Sequence, residues 1–197
     1  PNERVVFVIS NPDIINSIMR YNPDLILSPF NEKSPKMDNK VFVGEKGYFL
    51  KKLFEAGIPV PPAFVLTTEV FRERDAIYSH PKLKAELDKK IGSQIRKLAK
   101  LCGREFGNPQ NPLLLSVRSG AAVSMPGAMV TFVNVGMNDE IAEQLSREPG
   151  FGWAAWDSYR RLVQNWGMAH DIQRDVFDKV ISDHKKKYRV KYKTGLR

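Results

Sequence analysis

Seven apolar residues, Leu83, Leu87, Ile91, Ile95, Leu98, Cys102 and Phe106, recur in steps of four and three between Pro81 and Gly107. Only an α-helix returns such positions to one side, so this stretch predicts a long helix with a single buried stripe. Cys102 lies on that stripe and reads as a small core residue rather than a nucleophile. It is the sole cysteine, so no internal disulfide can form. A reducing, cytoplasmic setting is the expectation.

The flanks of this helix set the fold class. After it, LLLSV runs into Arg118, a small-residue loop with Ser-Met-Pro-Gly follows, and TFVNV resumes a β-rich pattern. Before it, KVFVGEKGYFLKKLFEAG predicts a strand, a Gly-Glu-Lys-Gly turn, and a helix carrying Phe49, Leu50, Leu53 and Phe54 on one side. IPVPPAFVLTT is extended because its prolines forbid helix. Thr67 or Thr68 then caps a helix over EVFRERDAIYS.

The first forty residues differ in texture. RVVFVIS is strand-like, Asn11 or Asp13 caps a short helix, and NPDLILSPF is a second short strand, together a small α/β segment. Asn31 to Lys40 has linker composition, which predicts a boundary between residues 1–40 and 41–197. The C-terminal part is helical. Asn138 caps DEIAEQLSR, a second helix carries Trp153, Trp156, Tyr159, Leu162, Val163 and Trp166, and a third covers RDVFDKVISDHKKK. Helical spacing makes that aromatic stripe a packed face rather than a base-stacking one. Strands lead and helices trail, so the class is α+β.

Charge excludes less than it first suggests. The chain of 197 residues carries a net charge of +9, but the segment after Asp183 holds seven Lys or Arg and no acid. The remainder has 24 basic and 22 acidic residues, a net of +2. Nucleic acid is therefore not an expected partner, and the tail reads as a solvated basic end. No run approaches the roughly 18 apolar residues of a membrane span, and the N-terminus lacks a secretory pattern.

Two loops can carry chemistry. Gly44-Glu45-Lys46-Gly47 precedes a helix, where backbone N–H groups and the helix N-terminus favour an anion and Lys46 adds a point charge. The glycine spacing is not that of a Walker A loop. In the second loop Arg118 stands at a strand end before Ser119 and Gly120, suited to a bidentate grip on phosphate oxygens. Residues alone leave a structural ion pair equally open for it. His80, His170 and His184 share no metal-ligand spacing, and no hydrolase or dinucleotide-binding motif occurs.

These loops resemble the N-terminal nucleotide-binding region of pyruvate phosphate dikinase, of the phosphoenolpyruvate-utilising family. The resemblance rests on VGEKGYFLKKLFEAGIPVPPAFVLTTE, on SVRSGAAVSMPG from Ser116 to Gly127, on TFVNVGMND, and on WDSYRR from Trp156 to Arg161. It implies the N-terminal lobe of an ATP-grasp-like fold with a helical subdomain. Lys46 and Arg118 would act as phosphate contacts. Ser119, Gly120, Ser124, Met125, Pro126, Gly127 and Thr131 would complete the nucleotide site, with Gly127 as the hinge of a closing loop.

The cofactor implied is Mg-ATP, with metal ligands on a second ATP-grasp lobe that this chain does not reach. The implied partners are that lobe and a swivelling domain whose histidine takes the phosphoryl group and passes it to pyruvate; a homodimer is compatible. Two positions depart from the family pattern. Ala122 stands where a second loop Arg is usual, and Val130 where an acid is usual, which removes polar contacts near the phosphates. A non-catalytic nucleotide-binding or regulatory module is therefore the alternative, and the chain is not expected to turn over alone.

Overall fold

The computed structural model describes residues 26–27, 39–119 and 131–195. Helices dominate it, with two short antiparallel strand pairs, an α+β composition as expected. It divides into two compact units, one running to Leu98 and the other taking up from Ala99.

In the first unit, β1 (Ile26–Leu27) pairs antiparallel with β2 (Val65–Leu66), Ile26 opposite Leu66. The expected strand and helix before β1, and the linker composition up to residue 38, lie outside the described residues. The strand expected at Val41–Val43 does not form. Instead α1 (Lys40–Glu55) begins there. The side-chain oxygen of Asn39 accepts the Val41 N–H at 2.9 Å, and its carbonyl accepts those of Phe42 and Val43 at 3.1 and 3.2 Å. That cap winds a turn despite the β-branched Val41 and Val43.

The face α1 buries also differs from expectation. Phe49, Leu53 and Phe54 are exposed, whereas Val43, Gly47 and Lys51 are buried and only Leu50 of the expected set packs inward. Gly47 explains the choice. A Cβ there would lie 3.2 Å from the Val43 Cβ, so its bare backbone lets this line close while bulkier neighbours turn outward. Val43 packs with Phe42, Tyr48, Leu50, Val60, Ala63 and Val65.

The single helix expected after the extended proline segment is two, α2 (Thr68–Arg72) and α3 (Arg74–Ser79), parted at Glu73. Thr67 occupies the N-cap position without a side-chain cap bond. Thr68 instead donates its hydroxyl to the Val41 carbonyl at 2.8 Å, fastening α2 to the first turn of α1. The long helix is present as α4 (Pro81–Cys102), with Leu87 and Leu98 buried and Leu83, Ile91 and Ile95 half-buried. Cys102 and Phe106, expected on its buried stripe, are exposed. Gly103, at φ 61°, ends the helix with the Arg104 N–H returning to the Ala99 carbonyl at 3.0 Å, so the stripe closes at Leu98.

In the second unit, β3 (Leu115–Arg118) pairs antiparallel with β4 (Thr131–Val135). Asn138 caps α5 (Asp139–Ser146) as expected, its side-chain oxygen accepting the Ile141 N–H at 2.8 Å. Two further helices follow, α6 (Gly152–Ala169) and α7 (Arg174–Lys187). Met137, Ile141, Ala142 and Ala155 form the core, against Leu114, Leu145, Tyr159 and Leu162.

The aromatic stripe of α6 is therefore split. Tyr159 and Leu162 pack, but Trp153, Trp156, Val163 and Trp166 are exposed. Ala155 brings α6 onto α5 along its own line, and the tryptophans lie to one side of it. Gly167 receives α7: a Cβ there would stand 2.6 Å from the Phe177 ring.

Candidate phosphate site

The first candidate loop is a break inside a helix rather than a turn between a strand and a helix. Gly44 takes φ 69°, ψ 166° within α1, a region open essentially to glycine alone. The helix restarts after it, and Lys46 stands exposed in the first turn of the restarted segment. The partial positive charge of a helix start and the Lys46 ammonium therefore belong to the same turn. Lys51, buried one turn on, reaches the Glu55 carboxylate at 3.4 Å, and Lys52 reaches it at 2.9 Å.

The second candidate element is the end of β3. Register slips by one residue between Leu115, opposite Val135, and Val117, opposite Phe132. Such a bulge re-aims the residues beyond it. Arg118 comes next, directly opposite Thr131, so the structure brings these two expected site residues together across the strand pair. Arg118 and Ser119 are exposed, and Arg118 ion-pairs with none of the described residues. A structural ion pair, the competing sequence reading, is thus not seen among them. Gly120, Ser124, Met125, Pro126 and Gly127, with Ala122 and Val130, lie outside the described residues. Lys46 and Arg118 belong to different units.

One cluster has a role that sequence reading missed, although it lies within WDSYRR. The Asp157 carboxylate, only 9% exposed, accepts from Arg160 Nη2 at 2.7 Å and from Arg161 Nε at 2.6 Å. Arg160 also donates to Gln164 at 2.6 Å. Burial pushes the Asp157 carboxyl up, but the bonds and charges of both arginines outweigh it and hold it below the ordinary 3.8. The i, i+3 and i, i+4 spacing was the available signal. His80, His170 and His184 each spend Nδ1 on the carbonyl four residues earlier, at 2.9 Å in every case.

Pyruvate, phosphate dikinases from several organisms are similar to this chain. The enzyme of Entamoeba histolytica is 38% identical over 159 residues, 80% of this chain and 18% of its own length. That of Clostridium symbiosum is 36% identical over 168 residues, 85% of this chain and 19% of its own. The chloroplastic enzyme 1 of Zea mays is 39% identical over 159 residues, 80% of this chain and 16% of its own. This chain belongs to the pyruvate, phosphate dikinase family. It spans less than a fifth of the length of these relatives. No protein-family model matches it.

The α+β architecture is compatible with a dikinase region of this size. Lys46 and Arg118 are both exposed. As for magnesium, among the described residues no three His, Cys, Asp or Glu side chains gather to hold a metal ion. No ligand set for it can be named among those residues. No described helix is long and apolar enough to cross a membrane.

Proposed function

We propose that this chain contributes the phosphate-contacting part of the ATP site of a pyruvate, phosphate dikinase-like phosphotransferase. Its identity of 36–39% to dikinases over about four fifths of its length carries the reading. In it, Lys46 and the restarted helix of α1 contact phosphate oxygens. Arg118, fixed by its register opposite Thr131, supplies a planar guanidinium that can grip two oxygens at once. Phosphoryl transfer asks little covalent chemistry of a protein and much positioning and charge neutralisation, which a lysine, an arginine and helix amides provide.

Under this proposal the fold is one lobe of an ATP-grasp-like site. Ser119 stands beside Arg118 at the nucleotide, and a second lobe supplies the carboxylates for magnesium. Magnesium, when bound, would neutralise charge on the phosphates. The phosphoryl group then passes to a histidine on a separate domain and on to pyruvate. This chain binds nucleotide and does not turn over alone.

A calorimetric titration with Mg·ATP tests the proposal. Each of Lys46→Ala and Arg118→Ala should weaken binding by about tenfold or more, the scale of one charge-assisted hydrogen bond. Thermal unfolding should be unchanged, because both side chains are exposed. Unaltered affinity in both variants would overturn it.

A further inference from the structure

The basic C-terminal segment has a definite shape. The last turn of α7 carries Lys185, Lys186 and Lys187, and the chain then reverses. The N–H groups of Tyr188, Arg189 and Val190 donate to the carbonyls of His184, Lys186 and Lys185 at 2.9, 3.2 and 3.0 Å. This closure normally places glycine in the left-handed position. Here Arg189 occupies it, at φ 54°. A non-glycine residue held there costs about 1 kcal/mol or more and is often found at functional sites.

The reversal folds Lys191 back beside the helix. Ser182, Lys185, Lys186, Arg189, Val190 and Lys191 line a depression of about 480 Å³. Four of these are cations, none is an acid, and none of the four ion-pairs with a described residue. A helix C-terminus bears only about half a negative charge, so complementing its dipole does not account for four cations.

A second groove is lined by Ile181, one helical turn before Lys185 on α7, and by Lys193, two residues beyond Lys191 on the tail. It encloses about 190 Å³ between Trp153, Trp156, Asp157, Arg160, Ile181 and Lys193. Trp153 donates its indole N–H to the Lys193 carbonyl at 3.3 Å, tying this wall to the turn. Asp157 is already spent on Arg160 and Arg161 and adds little repulsion. Trp153 and Trp156 keep about two fifths of their surface open, 41% and 43%. Aromatic faces beside a phosphate-sized field of cations are what a nucleotide requires, the rings for its base and the cations for its phosphates.

We propose that the turn closing α7 is an accessory binding site for a nucleoside polyphosphate. Its phosphates lie among Lys185, Lys186, Arg189 and Lys191, and its base lies against Trp153 and Trp156. This site stands independently of Lys46 and Arg118. Its ligand is a free nucleotide, and RNA binding is an outcome of the test.

In the full chain carrying Trp166→Phe, tryptophan fluorescence reports Trp153 and Trp156 alone, the remaining indoles of the three. ATP should quench it. Inorganic tripolyphosphate should displace ATP without quenching, and single-stranded RNA lacking a terminal phosphate should not displace it. Combined Lys185→Glu, Lys186→Glu and Lys191→Glu should weaken ATP about tenfold or more. Neutral glutamines at the same positions serve if the glutamates unfold the chain. Lys46→Ala with Arg118→Ala should leave the quenching unchanged. Quenching that survives charge removal, or is lost with Lys46 and Arg118, would overturn the site. So would displacement by unphosphorylated RNA with a steep salt dependence, which would make the segment a polyelectrolyte arm.

Discussion

Asp157 shows how one side chain organises the polar surface of α6. It accepts from two arginines at 2.6–2.7 Å and is itself 9% exposed, so its removal strands two guanidinium groups that now share its charge. Asp157→Ala should cost roughly 1–3 kcal/mol, the range for hydrogen bonds to charged groups, tempered because Arg161 is largely exposed. The pH dependence has a definite sign. The folded carboxyl titrates below the unfolded value of 3.8, so its contribution is complete above 3.8 and fades as pH falls through the lowered folded value. Thermal unfolding of parent and Asp157→Ala should therefore differ at neutral pH and converge in strong acid. A gap that persists there would assign the loss to packing instead of charge. Helical spacing within WDSYRR was the available signal for this cluster, and sequence reading did not take it up. The sequence could not show that the aspartate would be the buried member, because burial depends on where α7 and the tail lie.

Among the elements, α1 departs furthest from expectation and is also the most informative. Alternation in Val41-Phe42-Val43 reads as strand, and Asn39 overrules it with three hydrogen bonds to backbone N–H groups. Gly44, legible as a loop glycine, serves as the interruption of a helix. Gly44→Ala should destabilise the fold by about 1–3 kcal/mol, since φ 69°, ψ 166° suits almost no other residue. A melting temperature equal to that of the parent would show that the break relaxes freely. Elsewhere local signals sufficed: the Asn138 cap, the span of α7 and the core of α4 all stand where capping and periodicity put them. The tryptophans of α6 escaped periodicity because helical spacing marks a face but not its partner. Ala155 decided which line of α6 closes on α5.

For the molecule as a whole, family was more legible than packing. The loops flanking Lys46 and Arg118 pointed to a nucleotide-handling dikinase region, and relatives 36–39% identical place the chain in that family. The cations expected to meet phosphate are both exposed, and Arg118 holds its register opposite Thr131. Periodicity and motif could not convey that they stand on separate compact units. Amide hydrogen exchange of the full chain with and without Mg·ATP tests whether Lys46 and Arg118 each contact nucleotide phosphate. Slowed exchange is expected at residues 44–48 and across 117–119 and 131–132, lost in Lys46→Ala and Arg118→Ala. Slowed exchange confined to residues 182–193, with those loops unchanged, would contradict both contacts.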